Sequence, residues 1–226
     1  MQFSLFGAEA GELVLADLDG VLLGGGQWLE AADGARLSAV VVDRWRADAL
    51  ADAFGALGVG DPPSTGPSTH SSSDPSSDPS TGPSTAGGGA PVGETGTGAF
   101  VARTAVTPSL RPVAARWRRG AATAPPDDLV LSAGGLRLWA VTSGSADEVG
   151  YVLRTPQVPD AAGPAGRLHR VAGALLARTG IAAVELGARG GPGWRITSAR
   201  RLRRLAELVG PPPPGAEADW PALAAR

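Results

Sequence analysis

The sequence predicts an α+β protein: two pseudo-equivalent α/β lobes with antiparallel sheets, packed together through two central helices. Two apolar stretches rich in small residues, Leu18–Trp28 and Leu136–Ser145, fall one in each half of the chain. Read as helices, they carry Gly20 and Gly24 in one and Ala140 and Gly144 in the other, at a spacing of four. That spacing puts both small residues on one face, where a second backbone can approach closely. A similar order of helix, hairpin, helix and further β follows each stretch. The chain has 226 residues and 43% hydrophobic content, enough to bury a sizeable core.

The elements follow in chain order. Residues 1–13, with Phe3, Leu5 and Phe6, read as a short apolar arm tucked against the body. Residues 14–25 form the first central helix, which Gly24 to Gly26 end, because glycine tolerates positive φ. Gln27 to Val42 reads as a hairpin turning at Ala32-Asp33-Gly34. Asp43 is placed to cap a helix reaching about Leu57, with Ala47, Leu50 and Phe54 on one face and Gly58 as its stop. Residues 61–93 are dominated by Ser, Thr, Pro, Gly and Asp, and Ser-Thr-Gly-Pro-Ser-Thr occurs in them twice, at 64–69 and 80–85. Such a segment has little to bury, so it is expected to be a disordered insertion within the first lobe, itself residues 1–60 and 94–124.

Order is expected to return at Gly98, with a strand from Phe100 to Val106 and a helix from Leu110 to Arg119. Pro125-Pro126 breaks the chain before a second lobe spanning 125–210. That lobe reads as the second central helix, a strand over Val149 to Thr155 and a helix marked by Leu168, Val171, Ala172, Leu175 and Leu176. A hairpin of 183–186 with 194–197 follows, then a final helix with Leu202, Leu205 and Val209 inward. Residues 211–226 read as a flexible tail with one anchor, Trp220.

Composition removes several function classes. Cysteine is absent, which excludes disulfides, thiolate metal sites and cysteine nucleophiles. Only His70 and His169 are present, too few for a histidine metal cluster. Neither a signal peptide nor a run of ~20 apolar residues is visible, so a cytoplasmic protein without a membrane partner is expected. All 20 basic residues are arginine. With the abundant alanine and glycine, this looks like the product of a GC-rich genome such as an actinobacterial one. The net charge of −2 hides an asymmetry: residues 1–94 hold 3 Arg against 13 acids, and residues 97–209 hold 16 Arg against 7. A basic second part suggests a surface for a polyanion, and an internal match of acids against arginines is the alternative.

The two central stretches also carry a family resemblance. Leu18, Gly20, Val21, Leu22, Gly24 and Gly26 are similar to the signature helix of LAGLIDADG homing endonucleases. Trp139, Gly144 and Ser145 resemble the helix that opens the second half of a single-chain member. Thr104 to Trp117, Pro125-Pro126-Asp127-Asp128 and Gly193-Trp194-Arg195-Ile196 resemble the family's intervening and closing segments in the same order. The resemblance implies a pseudo-twofold monomer whose two sheets form a saddle over duplex DNA. It also implies a catalytic carboxylate just before the last glycine of each motif, and those positions are Gly25 and Ser143. Neither residue can hold the divalent metal that such cleavage needs. No catalytic residue, metal site or cofactor is therefore expected.

By the same resemblance, outward strand residues reach the major groove, which admits a β-ribbon. Arg36, Arg103, Arg154 and Arg195 are the strand candidates for DNA contact, flanked by Arg111, Arg116, Arg118, Arg119 and Arg189. The run Arg200, Arg201, Arg203 and Arg204 reads as the solvated side of the last helix, with phosphate contact as the alternative. The expectation is a non-catalytic DNA-binding protein, with two alternatives. One is a protein-interaction scaffold without nucleic acid. The other is a residual endonuclease using the nearby acids Glu30, Asp33 and Asp147.

Overall fold

Each half of the chain repeats one order of elements: helix, hairpin, helix, two strands, helix. The structure, a computed structural model, describes residues 12–60, 92–95, 98–120, 122–156, 163–186 and 190–221. In the first half a 3-10 turn, Leu15–Leu18, runs into α1 (Asp19–Leu23). Then come β1 (Gln27–Ala31), β2 (Gly34–Val41), α2 (Arg44–Ala56), β3 (Val92–Glu94), β4 (Phe100–Arg103) and α3 (Arg111–Trp117). A small antiparallel pair, β5 (Arg118–Arg119) with β6 (Ala122–Thr123), leads out of the first lobe.

The second half gives α4 (Ala133–Ser143), β7 (Gly144–Asp147), β8 (Gly150–Arg154) and α5 (Pro164–Arg178). It closes with β9 (Val184–Glu185), β10 (Gly193–Ile196) and α6 (Ala199–Val209). The two sheets have the same antiparallel order, β1-β2-β4-β3 and β7-β8-β10-β9. The pseudo-twofold α+β architecture is thus written into the strand order itself.

The core lies between the sheets' inner faces and the helices. Along β2, Ala35, Leu37, Ala39 and Val41 alternate inward, as a half-buried strand requires. From the second sheet Tyr151, Leu153 and Ile196 enter the same core. The two lobes meet where α1 and α4 lie side by side in the same direction. A Cβ on Gly20 would stand 1.8 Å from the Gly135 carbonyl oxygen, and one on Gly24 would stand 2.7 Å from Thr142 Cβ. Both glycines stand at the contact between the helices. Gly144 does not. It ends α4 and begins β7, and a Cβ there would meet Tyr151 Oη at 2.1 Å. The small residue opposite Gly20 is Gly135, five residues before Ala140. Ala140 is fully buried in α4, and its carbonyl accepts from Arg46.

Three further expectations are corrected. Val92 and Gly93 do not belong to a structureless insertion: they pair with Ala102 and Val101 and cover the outer edge of β4, whose backbone groups need partners. Arg118 and Arg119 are not helical, since α3 stops at Trp117 and the chain turns back through Gly120 at φ 63°. Residues 211–221 are no loose tail. Ala216 and Trp220 are buried, Trp220 Nε1 donates to the Gly210 carbonyl at 2.8 Å, and its ring meets Trp45 edge to face. Trp220, Ala216 and the bond from Arg137 Nη1 to the Pro211 carbonyl together hold this proline-rich segment. Residues 1–11 and 61–91 lie outside the described residues. Among the described residues, no helix is long and apolar enough to cross a membrane.

Candidate nucleic-acid interface

Strand register decides which arginines share a face. In the first sheet Arg36 stands opposite Leu29, and Ser38 opposite both Gln27 and Arg103. With Ala35, Leu37 and Ala39 turned inward, Arg36, Ser38, Val40 and Arg103 project from the outer face. In the second sheet Arg195 stands opposite Val152, and Arg154 opposite Gly193. Tyr151, Leu153 and Ile196 are inward, so Arg154 and Arg195 share the outer face of that sheet. The strand pairing places Arg36 and Arg103 on the outer face of one sheet and Arg154 and Arg195 on that of the other.

Their surroundings differ between the lobes. Among the described residues, the guanidinium groups of Arg36 and Arg103 have no partner. Arg36 Nε is moreover buried without an acceptor. Arg195, by contrast, donates to Asp147 on the same face, and Arg154 Nη1 donates to the Gly190 carbonyl at 2.8 Å. Asp147 Oδ1 also accepts the amides of Val149 at 3.0 Å and Gly150 at 2.9 Å. Partial burial works the other way, but those amides and the Arg195 guanidinium prevail and hold the Asp147 carboxyl below its ordinary range.

The flanking candidates are engaged within the chain. Arg111 donates to the carbonyl of Ala32 at the tip of the β1–β2 hairpin. Arg116 lies 3.5 Å from Asp19 and 3.9 Å from Asp128, and Arg118 lies 2.6 Å from Glu30. Arg119 donates to the carbonyls of Arg116 and Arg118. Together these groups fasten α3 and the β5–β6 pair to the first sheet and to α1. Arg189 lies outside the described residues.

The parallel ends of α1 and α4 bring the two positions implied for catalytic carboxylates close together. Gly24 sits against Thr142 and Ser143, and Gly25 turns the chain at φ 110°. Ser143 Oγ donates to the Arg154 carbonyl at 2.9 Å, which also receives Trp139 Nε1 at 2.8 Å. A hydroxyl committed to a carbonyl and a residue without a side chain do not fit a divalent cation, whose hard charge calls for carboxylate oxygens. Glu30, Asp33 and Asp147 lie toward the far ends of their hairpins, three or more residues beyond the helix ends, on the order of 10 Å along a strand. Glu30 and Asp147 are each paired with an arginine.

Several polar residues that organise this region carry no signal of their own in the sequence. Arg46, 4% exposed, reaches from α2 to the end of α4 and donates to the carbonyls of Ala140, Val141 and Gly144. Its Nε pairs with Asp43 at 2.8 Å, and its guanidinium lies 4.4 Å from the Trp45 ring centre. A cation there completes the orphan carbonyls and the negative end of the α4 dipole. Asp17 and Asp19, each 3% exposed, tie the start of α1 to its neighbours. Asp17 accepts from Ser132, the residue that caps α4, and Asp19 accepts Trp117 Nε1 at 2.6 Å. Burial pushes the Asp19 carboxyl up, against the Trp117 hydrogen bond and the charge of Arg116. For this pair alone a hint was available, two acids inside an apolar stretch. His169 bridges Thr155 at 2.8 Å and Glu185 at 3.1 Å while stacked on Trp194, which braces α5 against the second sheet.

Compared in three dimensions, the chain is similar to the homing endonuclease I-WcaI, solved bound to its DNA recognition sequence. The TM-score is 0.53 at 12% identity, over 86% of this chain and 79% of that one. At that identity the likeness establishes a homing-endonuclease-like fold. No family model and no curated protein matches the sequence.

Proposed function

We propose that this chain binds duplex DNA without cleaving it, as a degenerate LAGLIDADG-type protein that serves a regulatory role. The observation that carries the reading is the pair of outer sheet faces, one bearing Arg36 and Arg103 and the other Arg154 and Arg195. β-Ribbons of this kind fit the major groove, where arginine reads guanine edges and binds phosphate. The fold shared with a DNA-bound homing endonuclease supports the same partner. Gly25 and Ser143 support the absence of cleavage, since neither supplies a carboxylate where the fold brings the two helix ends together. Anisotropy of a labelled random duplex over a salt series tests the reading. Binding should weaken steeply with salt, and substituting both Arg36 and Arg103 by Gln should flatten the log–log slope by about 0.9 for each phosphate left without its arginine. Flat or absent binding at low salt overturns it.

One observation favours a protein partner instead. Leu29, Val40 and Val184, 50%, 66% and 61% exposed, lie on the same outer faces as the arginines. A mixed apolar and arginine surface also suits protein contact. A pulldown that keeps its partners after nuclease treatment would favour this reading. Plasmid nicking with magnesium or manganese that disappears when Glu30, Asp33 and Asp147 are replaced would favour the residual nuclease.

A further inference from the structure

The four arginines of α6 form a charged surface separate from the sheet faces. Arg200, Arg201, Arg203 and Arg204 are all exposed, while Leu205, Ala206 and Val209 bury the opposite side of the helix in the core. That core includes Tyr151, Leu153 and Ile196 from the inner face of the second sheet. α6 packs on α4, and its arginines stand outside the strands that carry Arg154 and Arg195. An open groove of about 700 Å³ runs along them, with Gly180, Ser198 and the carboxylate of Glu207 completing its wall.

The arrangement is electrostatically unfavourable for the isolated fold. Arg200 has like-charged neighbours three and four residues on, Arg203 and Arg204, and Arg201 has Arg204. All four sit in the first half of the helix, where the macrodipole is positive, and the first turn holds no acid. Among the described residues, the one carboxylate in reach is Glu207, 3.7 Å from Arg204, and Arg200, Arg201 and Arg203 have no partner. A bound polyanion relieves this repulsion, and the chemistry of the groove selects its type. None of the lining residues has an apolar side chain, so an occupant is held by charge and hydrogen bonding. The guanidiniums span five residues, about 6 Å of helix axis, against one charge per ~3.4 Å along a single nucleic-acid strand. Arginine is also the side chain suited to phosphate.

We infer that the exposed face of α6 is a second, sequence-independent phosphate-backbone site, engaging nucleic acid apart from the sheet faces. It shares with the sheet reading the premise that the partner is nucleic acid. The test compares three proteins by anisotropy on a random 30-base-pair duplex over a salt series. They are the full chain, the sheet variant R36Q/R103Q, and a variant with Arg200, Arg201, Arg203 and Arg204 all changed to Gln. Glutamine keeps helix propensity. The α6 variant should flatten the log–log slope by about 0.9 for each phosphate left without its arginine and bind at least tenfold more weakly at low salt. The sheet variant should retain that part of the slope. Loss in the sheet variant with an unchanged α6 variant overturns this inference and leaves the sheet reading standing, and the reverse result does the opposite. Absent binding by the full chain overturns both. Should the fourfold variant fail to fold by circular dichroism, Arg201→Gln alone should flatten the slope by about 0.9.

Discussion

Asp147 is the carboxylate that keeps Arg195 from being free on the outer face of the second sheet. Its Oδ1 is satisfied by the Val149 and Gly150 amides, and an asparagine can accept the same two bonds through its carbonyl oxygen. Asp147→Asn should therefore leave the β7–β8 turn intact while releasing the guanidinium. The expected result is severalfold tighter binding to a random duplex and a log–log salt slope steeper by about 0.9. Weaker or unchanged binding would show that Arg195 is a structural residue. Asp19 gives a prediction of the opposite kind. Burial raises its pKa in the folded protein, so the fold favours the protonated acid. Stability from this group is present below its unfolded pKa and falls as pH rises through the window between the unfolded and the raised folded value. Asp19→Asn removes that fall and keeps an acceptor for Trp117 Nε1. The stability of the variant relative to the native chain, from urea unfolding, should increase as pH is raised from about 4 to 7.

At the scale of elements, the contact of α1 with α4 rests on backbone proximity. A methyl at Gly20 meets a carbonyl oxygen that cannot rotate away, so Gly20→Ala should cost about 3 kcal/mol or more, the upper end of overpacking effects. Gly55→Ala is the control: a Cβ in that part of α2 meets nothing within 4 Å, and the change should stabilise by up to about 1 kcal/mol. Chemical unfolding of the two variants checks both. The same contact shows how far the sequence was legible. Gly20 and Gly24 could be found because their spacing depends only on helical period. The partner Gly135 could not, because the register between two helices is set by packing across the whole core. Gly144 was misplaced for a local reason: the stretch through Ser145 stays apolar and small while α4 gives way to β7. The strand arginines were named through the family resemblance, and the period-two alternation of β2, with Ala35, Leu37 and Ala39 inward, is what turns Arg36 outward. Their ion pairs were not legible, since Arg195 and Asp147 are 48 residues apart in sequence. Nothing local marks Arg46 either, whose three carbonyl acceptors lie in the other lobe.

At the scale of the whole molecule, both lobes have one strand order, yet the first lobe is built from residues on either side of position 61. Its outer edge shows how this is possible. Gly60 bridges Thr104, Ala105 donates to the carbonyl of Val59, and Val92 pairs with Ala102. All run antiparallel along the same edge of β4, so Gly60 and Val92 occupy one interrupted strand line. Their partners are two residues apart, roughly 7 Å by strand rise. One residue is enough to close that gap. Deleting residues 62–91 so that Asp61 joins Gly60 directly to Val92 should give a continuous edge strand opposite β4. Loop-closure entropy then acts in favour of the fold, since each halving of a loop recovers about 0.6 kcal/mol, up to ~3 kcal/mol for five halvings. The shortened chain should show native circular dichroism and an equal or higher urea midpoint. Because the outer faces and α6 are untouched, its affinity for a random duplex and its salt slope should match those of the full chain. Loss of folding would mean that the two segments do not share a strand line. Loss of binding with folding intact would move part of the DNA-contacting surface into residues 62–91 and away from the arginines of the sheets.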